Sequence, residues 1–474
     1  MIRINTMWQA LGPRFLPFAD AATFEFPLSR LLRLSLFQVA VGMSMVLLTG
    51  TLNRVMIVEL GVPAWLVGLM VSLPLLFAPF RALIGYKSDN HKSVLGWRRV
   101  PYMWFGTMMQ FGGFAIMPFA LILLSGDTQG PMWIGQAGAA LAFILVGAGI
   151  HTTQTAGLAL ANDLAPEHVR PRVVALLYVT LLFGMAVSAL VFGSLLQRFS
   201  QLHLIQIIQG VAVTSVVLNC VAMWKQEVRN PQLTTGNEDA MSFTEAFSAL
   251  LKTGRVLRLL VALGLGTAAF AMQDILLEPF GGQIFAMTVG QTTLLNSFMA
   301  IGTLCGFTLS AHLLSSGSDP FRVASIGALM GILAFSAVAF APAVGSTQMF
   351  AISATFIGFS NGLFAVGMLT AAMEIGAGTA SGLALGAWGA VQATSGGIAV
   401  AFSGFVRDFI STFAMKGTFG TTLQTNATGY CFVYSFEVFL LFVTLIALGP
   451  LVRVAGRSTL TPPNTKFGLV QYPG

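Results

Sequence analysis

The sequence predicts an all-α membrane protein of about twelve transmembrane helices in two six-helix halves. Three observations lead there: composition, the spacing of the apolar stretches, and the placement of Lys and Arg. Hydrophobic residues make up 55% of the 474 and charged residues only 9%, with a mean hydropathy of +0.81; a soluble domain carries about 25% charged residues. A spanning helix needs about 20 apolar residues to cross a hydrocarbon core about 30 Å thick. Stretches of that length fall at 33–58, 64–86, 101–125, 132–160, 172–197, 204–224, 256–280, 289–315, 321–341, 346–373, 380–406 and 430–452. With their short loops they use nearly the whole chain and leave no room for a sizeable soluble domain.

Orientation follows from the basic residues. With both termini cytoplasmic, nineteen Lys and Arg fall on the cytoplasmic side and three (Arg198, Arg407 and Lys416) on the outer side, while Arg54 and Arg81 lie in spans or at their ends. This is a strong positive-inside bias, and it supports an even number of spans. The net charge of +7 is spread over loops. It reads as a topology signal and as contact with anionic lipid, not as a nucleic-acid surface.

Residues 1–32 carry Trp8, Phe15, Phe18, Phe24 and Phe26 among prolines and read as a cytoplasmic, interfacial segment rather than a cleavable signal. Two halves, 33–224 and 255–455, flank a polar cytoplasmic linker at 225–254, and 456–474 forms a cytoplasmic tail. The fourth span ends in GLALANDLAPEHVRPRVVALLYV with Asp163, and the tenth in TAAMEIGAGTASGLALGAWGAV with Glu374 at the matching place. This faint repeat suits halves related by an axis along the membrane normal. The pairs Gly358/Gly362 and Gly382/Gly386 are spaced for close helix packing in lipid. Cys220, Cys305 and Cys431 lie in three different spans without CxxC spacing, as small core residues rather than a disulfide or zinc framework.

Charges inside spans carry the most information, since each costs about 2.5–3.5 kcal/mol at a helix centre on insertion scales. Arg54 and Glu59 close the first span, Asp274 and Glu278 lie four apart in the seventh, Glu374 ends the tenth, and Glu437 sits within the twelfth. Spacing by four puts Asp274 and Glu278 on one helix face, where they can meet Arg54 across a central cleft. Two readings stand: an intramembrane polar site or proton relay, and an ion pair that locks the halves together. His151 opens HTTQTAGLALAND in the fourth span. A neutral imidazole there is a candidate axial ligand for a metal, including the magnesium of a chlorin; its structural alternative is a hydrogen bond to a neighbouring helix. His203 and His312 are weaker candidates near span ends, and His91 and His168 lie in charged loops. No nucleophile–base pairing, phosphate loop or metal cluster is evident, so no catalysis is expected.

The loop GYKSDNHKSVLGWRRVPY, with Gly85, Asp89, Arg98 and Arg99, resembles the loop between the second and third spans of the major facilitator superfamily. In that family an acid on this loop pairs with basic residues and steadies one conformation. Here the spacing is longer and Asn90 follows the acid. Asp163, Arg170 and Arg172 belong to the same cytoplasmic set.

Longer segments narrow the resemblance. GTLNRVMIVELGVPAWLVGLMVSLPLLFAPFRALIGYKSD, GWRRVPY, HTTQTAGLALANDLAPEHVRPRVVALLYV and QDILLEPFGG closely resemble the PucC/LhaA family, a branch of the major facilitator superfamily in phototrophic bacteria. The likeness runs from about 25 to 455. PFADAAT and SVLGWRRVPY lean toward the LhaA branch, which serves the core antenna. The resemblance implies an assembly factor that binds bacteriochlorophyll, with carotenoid or lipid as further possible ligands, and delivers it to light-harvesting antenna polypeptides. The implied partners are those polypeptides, the reaction-centre core complex, bacteriochlorophyll-synthesis enzymes and membrane lipids. The implied location is the inner, intracytoplasmic photosynthetic membrane. A proton-coupled secondary transporter and a pigment-free scaffold for antenna helices are the alternatives.

Overall fold

The computed structural model describes residues 27–76, 84, 88, 97–126, 130–166, 170–227, 254–376 and 381–452. Eleven of the described helices are long and apolar enough to cross a membrane, and one shorter apolar helix lies among them. The first half comprises α1 (Leu28–Glu59), α2 (Ala64–Leu76), α3 (Val100–Leu124), α4 (Met132–Leu164), α5 (Arg170–Leu195) and α6 (Gln201–Met223). The second half begins with a broken helix, α7a (Gly254–Ala271), a 3-10 turn (Met272–Ile275) and α7b (Leu277–Phe285). It continues with α8 (Val289–Ser315), α9 (Pro320–Val344), α10 (Thr347–Gly376), α11 (Ser381–Met415) and α12 (Ala427–Leu448). This is a multi-pass membrane protein built as two six-helix halves.

Several starts are written in the sequence. Thr288 and Gln291 close a capping box at α8. Asp319 accepts the Phe321 N–H at 3.2 Å, with Pro320 in the first turn of α9. Ser200 accepts the His203 N–H at 3.1 Å and starts α6. The start of α3 is capped from a distance: the Glu227 carboxylate, just beyond α6, accepts the N–H groups of Arg98 (2.6 Å), Arg99 (3.1 Å) and Val100 (2.9 Å). A carboxylate on three amides at a helix N-terminus combines charge-assisted bonding with the helix dipole. Replacing Glu227 with Gln is expected to cost about 1–2 kcal/mol, read as a lower thermal midpoint in detergent; an unchanged midpoint would show that the cap contributes nothing.

The halves meet along two seams, α2 against α11 and α5 against α8. Within the second half, α10 packs backbone to backbone on α8. A Cβ on Gly358 would stand 2.8 Å from the Met299 carbonyl carbon, and one on Gly362 2.7 Å from the Thr303 carbonyl oxygen. Small residues four apart permit this approach in lipid, where packing drives association.

Three expectations change. The first helix begins at Leu28, inside the segment expected to precede it, and it winds through wide π-helical turns at Val46–Leu52 and Val55–Glu59. Cys305 is exposed on the bundle surface, so it is not a core residue, while Cys220 and Cys431 are partly covered; all three are free thiols. Arg407 is not in an outer loop: α11 runs about two turns past the expected end of its span and carries Arg407 within the helix. The linker beyond Glu227, the tail, Gly85, Asp89, His91 and His168 lie outside the described residues.

Candidate functional site

The break in the seventh span sets the geometry of the site. Instead of one straight face, the chain passes from α7a into a 3-10 turn and restarts as α7b. Asp274 and Glu278 therefore do not share a face as their spacing suggests: Asp274 is exposed, whereas Glu278 is buried. Asp274 nonetheless sits deep among the helices, so its exposure is to the interior of the bundle and not to the outer surface. A helix interrupted in mid-membrane with polar side chains at the interruption is tolerated where backbone lines a cavity or is buried in protein.

Arg54, on the last turns of α1, is 3% exposed. One guanidinium nitrogen donates to Glu59, and the other donates to the Met287 carbonyl at 3.0 Å, across the boundary between the halves. Gly282 of α7b lies against the guanidinium: a Cβ there would stand 2.9 Å from Nη2. Glu278 accepts from the Asn296 amide and lies within the field of Arg54. Gly50 leaves the space in which Glu278 and Asn296 meet. Thr51 and Thr293 face each other at 3.2 Å, and Asn53 donates to the Asp274 carbonyl at 3.1 Å. The structure thus brings Arg54, Glu59, Asp274 and Glu278 into one polar seam where α1, α7 and α8 converge. Within it Arg54 ties the halves, and Asp274 is the exposed carboxylate at the helix break.

A neighbouring cluster escaped the sequence reading because Arg407 looked like a loop residue. Arg407 donates to Gln283 at 2.5 Å and to Tyr430 at 3.1 Å, pairs with Asp408 at 2.6 Å, and lies 4.5 Å from the centre of the Tyr430 ring. Asp408 accepts the Trp65 N–H of α2 at 2.8 Å, another tie between the halves. The signal in the sequence was the RD pair itself, two adjacent charges beside an apolar run.

At the opposite end, Asp163 at the close of α4 receives Arg99 at 3.0 Å and Arg98 at 3.4 Å, and Arg99 also donates to Ser88 at 2.6 Å. Arg98 and Arg99 thus pair with an acid of α4 within the first half; Asp89, the loop acid that the resemblance pairs with basic residues, lies outside the described residues. Arg170, Arg172 and Glu374 lie on described helices, but their side chains fall outside the described set.

His151 is 9% exposed inside α4, one turn beyond Gly147, which packs on Pro74 of α2. His203 is exposed at the start of α6, with Nδ1 3.4 Å from the Arg198 carbonyl oxygen, and His312 is exposed near the end of α8. The three histidines are not brought together. Among the described residues no group of three His, Cys, Asp or Glu is placed to hold a metal ion.

A lateral groove of about 600 Å³ opens between α7a, α11 and α12. Its walls include Leu260, Ala268, Val391, Ile398, Phe402 and Phe436, with Ser395 the one hydroxyl. An aromatic stripe continues from its rim: Phe402 lies 5.9 Å from Phe436, Phe405 5.9 Å from Phe409, and Phe409 4.8 Å from Phe413, centroid to centroid. Phe432, Phe439 and Phe442 are also exposed on α12.

Comparison with known proteins places this geometry. Solved structures with the same fold include a bacterial homologue of the human lysosomal transporter Spinster in an inward-facing conformation (TM-score 0.66, 13% identity, covering 89% of this chain and 95% of that one). The nucleoside transporter NupG is also similar (TM-score 0.63, 16% identity, 88% and 98% covered). These establish the major facilitator fold. In sequence, the chain is 56% identical to Protein PucC of Rhodovulum sulfidophilum over 407 residues, covering 84% of this chain and 89% of that protein. It is 52% identical over the full length of both to a Rhodobacter capsulatus protein described as "Uncharacterized protein in puhA-bchM intergenic region". It is 28% identical to the "Bacteriochlorophyll synthase 44.5 kDa chain" of Rhodobacter capsulatus, covering 80% of this chain and 86% of that one. The PUCC protein family model matches residues 51–456, and with half-identical relatives spanning the same helices the chain belongs to the PUCC protein family.

Proposed function

We propose that this protein is an assembly factor for the light-harvesting antenna, carrying bacteriochlorophyll within the photosynthetic inner membrane to antenna polypeptides, those of the core complex foremost. Both termini are then cytoplasmic, and the role is non-catalytic. Membership of the PUCC protein family supports the setting, and one relative is named as a bacteriochlorophyll synthase chain. The observation that carries the reading is the lateral groove between α7a, α11 and α12. It is apolar, it opens sideways, and its volume falls within the range of about 300–1,000 Å³ common for small-molecule sites.

The residues fit a pigment in one place and not in another. A bacteriochlorophyll combines a flat macrocycle, a long hydrocarbon tail and a magnesium that takes an axial ligand. The groove suits the hydrocarbon and the ring edge. None of its described lining residues is His, Cys, Asp or Glu, so these would hold a guest by dispersion and aromatic contact rather than coordination. Such binding is exchangeable, as delivery requires. His151 is the poorer fit as an axial ligand: at 9% exposed, its ring offers little open surface to a macrocycle.

The test is the pigment content of gently purified protein. Wild type is expected to carry bacteriochlorophyll, His151→Ala to retain it, and Ala268→Trp, which fills the groove, to lose it roughly tenfold or more, the equivalent of about 1.4 kcal/mol. A colourless, folded wild type would move the reading to a pigment-free scaffold, and full retention in Ala268→Trp would move the pigment out of the groove. A proton-coupled transporter is the second reading, favoured by the acids at the helix break. Asp274→Asn separates the two: a transporter loses gradient-dependent flux, whereas a carrier keeps its pigment.

A further inference from the structure

Glu437 stands at the middle of α12 and is completely buried, and neither carboxylate oxygen has a hydrogen-bond partner among the described residues. An ionised carboxylate cannot stay in such a place without a counter-charge or a donor. Among the described residues no donor bonds either oxygen, and no cation pairs with it. On α12 the nearby titratable groups are Tyr430, Cys431 and Tyr434. Tyr430 is committed to Gln283 and Arg407, and the Tyr434 hydroxyl has no partner among the described residues. From the seventh span comes Asp274, close enough for its charge to act on Glu437. Glu278 is taken by Asn296. Arg54 is committed to Glu59 and the Met287 carbonyl, and Arg407 of α11 to Asp408 and Gln283. On α9, Arg322 in its first turn is the only ionisable residue.

The same locality has a surplus of acceptors. The Gln273 amide nitrogen donates to an Asp274 carboxylate oxygen at 2.5 Å, and its oxygen is buried and unpartnered. Asn53 spends its amide nitrogen on the Thr49 and Asp274 carbonyls, and its oxygen is likewise buried and unpartnered. In both amides the nitrogen is the bonded atom, so flipping either side chain would set oxygen against oxygen. The unpartnered oxygens of these two amides therefore cannot be turned into donors for Glu437. A metal cation would need several converging oxygens, and no such acidic group is assembled among the described residues. One proton, by contrast, makes Glu437 neutral and turns it into a donor.

We propose that Glu437 and Asp274 form a proton-exchange site at the break in the seventh span, with Asp274 as the cleft-facing port and Glu437 as the buried holder. In the exchange step the Asp274 carboxylic acid gives its proton to the Glu437 carboxylate. Asp274 becomes the carboxylate and Glu437 the acid, and Asp274 regains a proton from water in the cleft. Protonation of the pair thereby acts where α1, α7 and α12 converge, beside the tie made by Arg54.

Infrared difference spectroscopy of the full-length protein in lipid tests this. A carboxylic-acid C=O stretch that shifts in deuterated water is expected in wild type at neutral pH, lost in Glu437→Gln and exchanged more slowly in Asp274→Asn. Absence of that band, or its persistence in Glu437→Gln, overturns the assignment of Glu437. Unaltered exchange in Asp274→Asn overturns the role of Asp274. Should Glu437→Gln fail to fold, wild type alone decides: a hydrophobic carbodiimide, which reacts with protonated carboxyls in lipid, is expected to modify Glu437 by peptide mass spectrometry. Intact Glu437 beside modified acids elsewhere rejects the proposal.

Discussion

Replacing Arg54 with alanine is expected to cost about 3–5 kcal/mol of stability, the range seen when one partner of a buried ion pair is removed. The side chain is 3% exposed and serves Glu59 and the Met287 carbonyl together, with Glu278 in its field. Its loss leaves the buried Glu278 carboxylate without a nearby positive charge and cuts one tie between the halves. Lysine keeps the charge but cannot reach both partners with a planar fork, so Arg54→Lys should fall between. The double change Arg54→Ala, Glu278→Gln should recover part of the loss, because the stranded charge is removed with its partner. Thermal unfolding of the purified variants measures all three. A cost below about 1 kcal/mol for Arg54→Ala would match an exposed pair and show that the seam does not hold the halves.

Gly358→Leu is expected to abolish the folded bundle. The obstacle is backbone: the Cβ alone would press on the Met299 carbonyl group of α8, and Gly362 lies one turn on against Thr303 and Gly306. Neither helix can yield without separating the pair along its length. Gly358→Ala should cost about 1–3 kcal/mol, the usual penalty for overpacking, and leucine well beyond that. Gly389, where an added Cβ meets nothing, is the control: Gly389→Ala should leave the elution profile and thermal midpoint of the detergent-solubilised protein unchanged. A monodisperse Gly358→Leu with a near-normal midpoint would mean that α8 and α10 are not packed as described.

Much of this was legible in the chain because membrane folding obeys few constraints. Twelve apolar stretches and one-sided basic residues suffice for span number and pairing into halves, and Gly358 with Gly362 announced a tight helix contact. Charges in spans marked the seam, since lipid penalises any charge placed without reason. What failed did so locally. Asp274 and Glu278 were placed on one face by a rule that holds for regular helix, and the 3-10 turn at Met272–Ile275 breaks that premise. Arg407 was mistaken for a loop residue because hydropathy measures the width of the membrane, not the length of the helix, and α11 continues to Met415. Glu437 was visible as a charge, but its isolation depends on which side chains surround it, and no spacing records that. The groove was invisible for the same reason: it is the space left where α11 and α12 stand apart over α7a.

That sideways opening changes what concentration means for this protein. A ligand entering between α11 and α12 arrives by partition from the acyl phase, so occupancy follows its mole fraction in the bilayer rather than its molarity in water. The search for the groove is two-dimensional, and neither the aqueous volume nor the membrane potential enters the equilibrium of an uncharged guest. Every detergent micelle, in turn, is a competing solvent, and extraction itself becomes a dilution experiment.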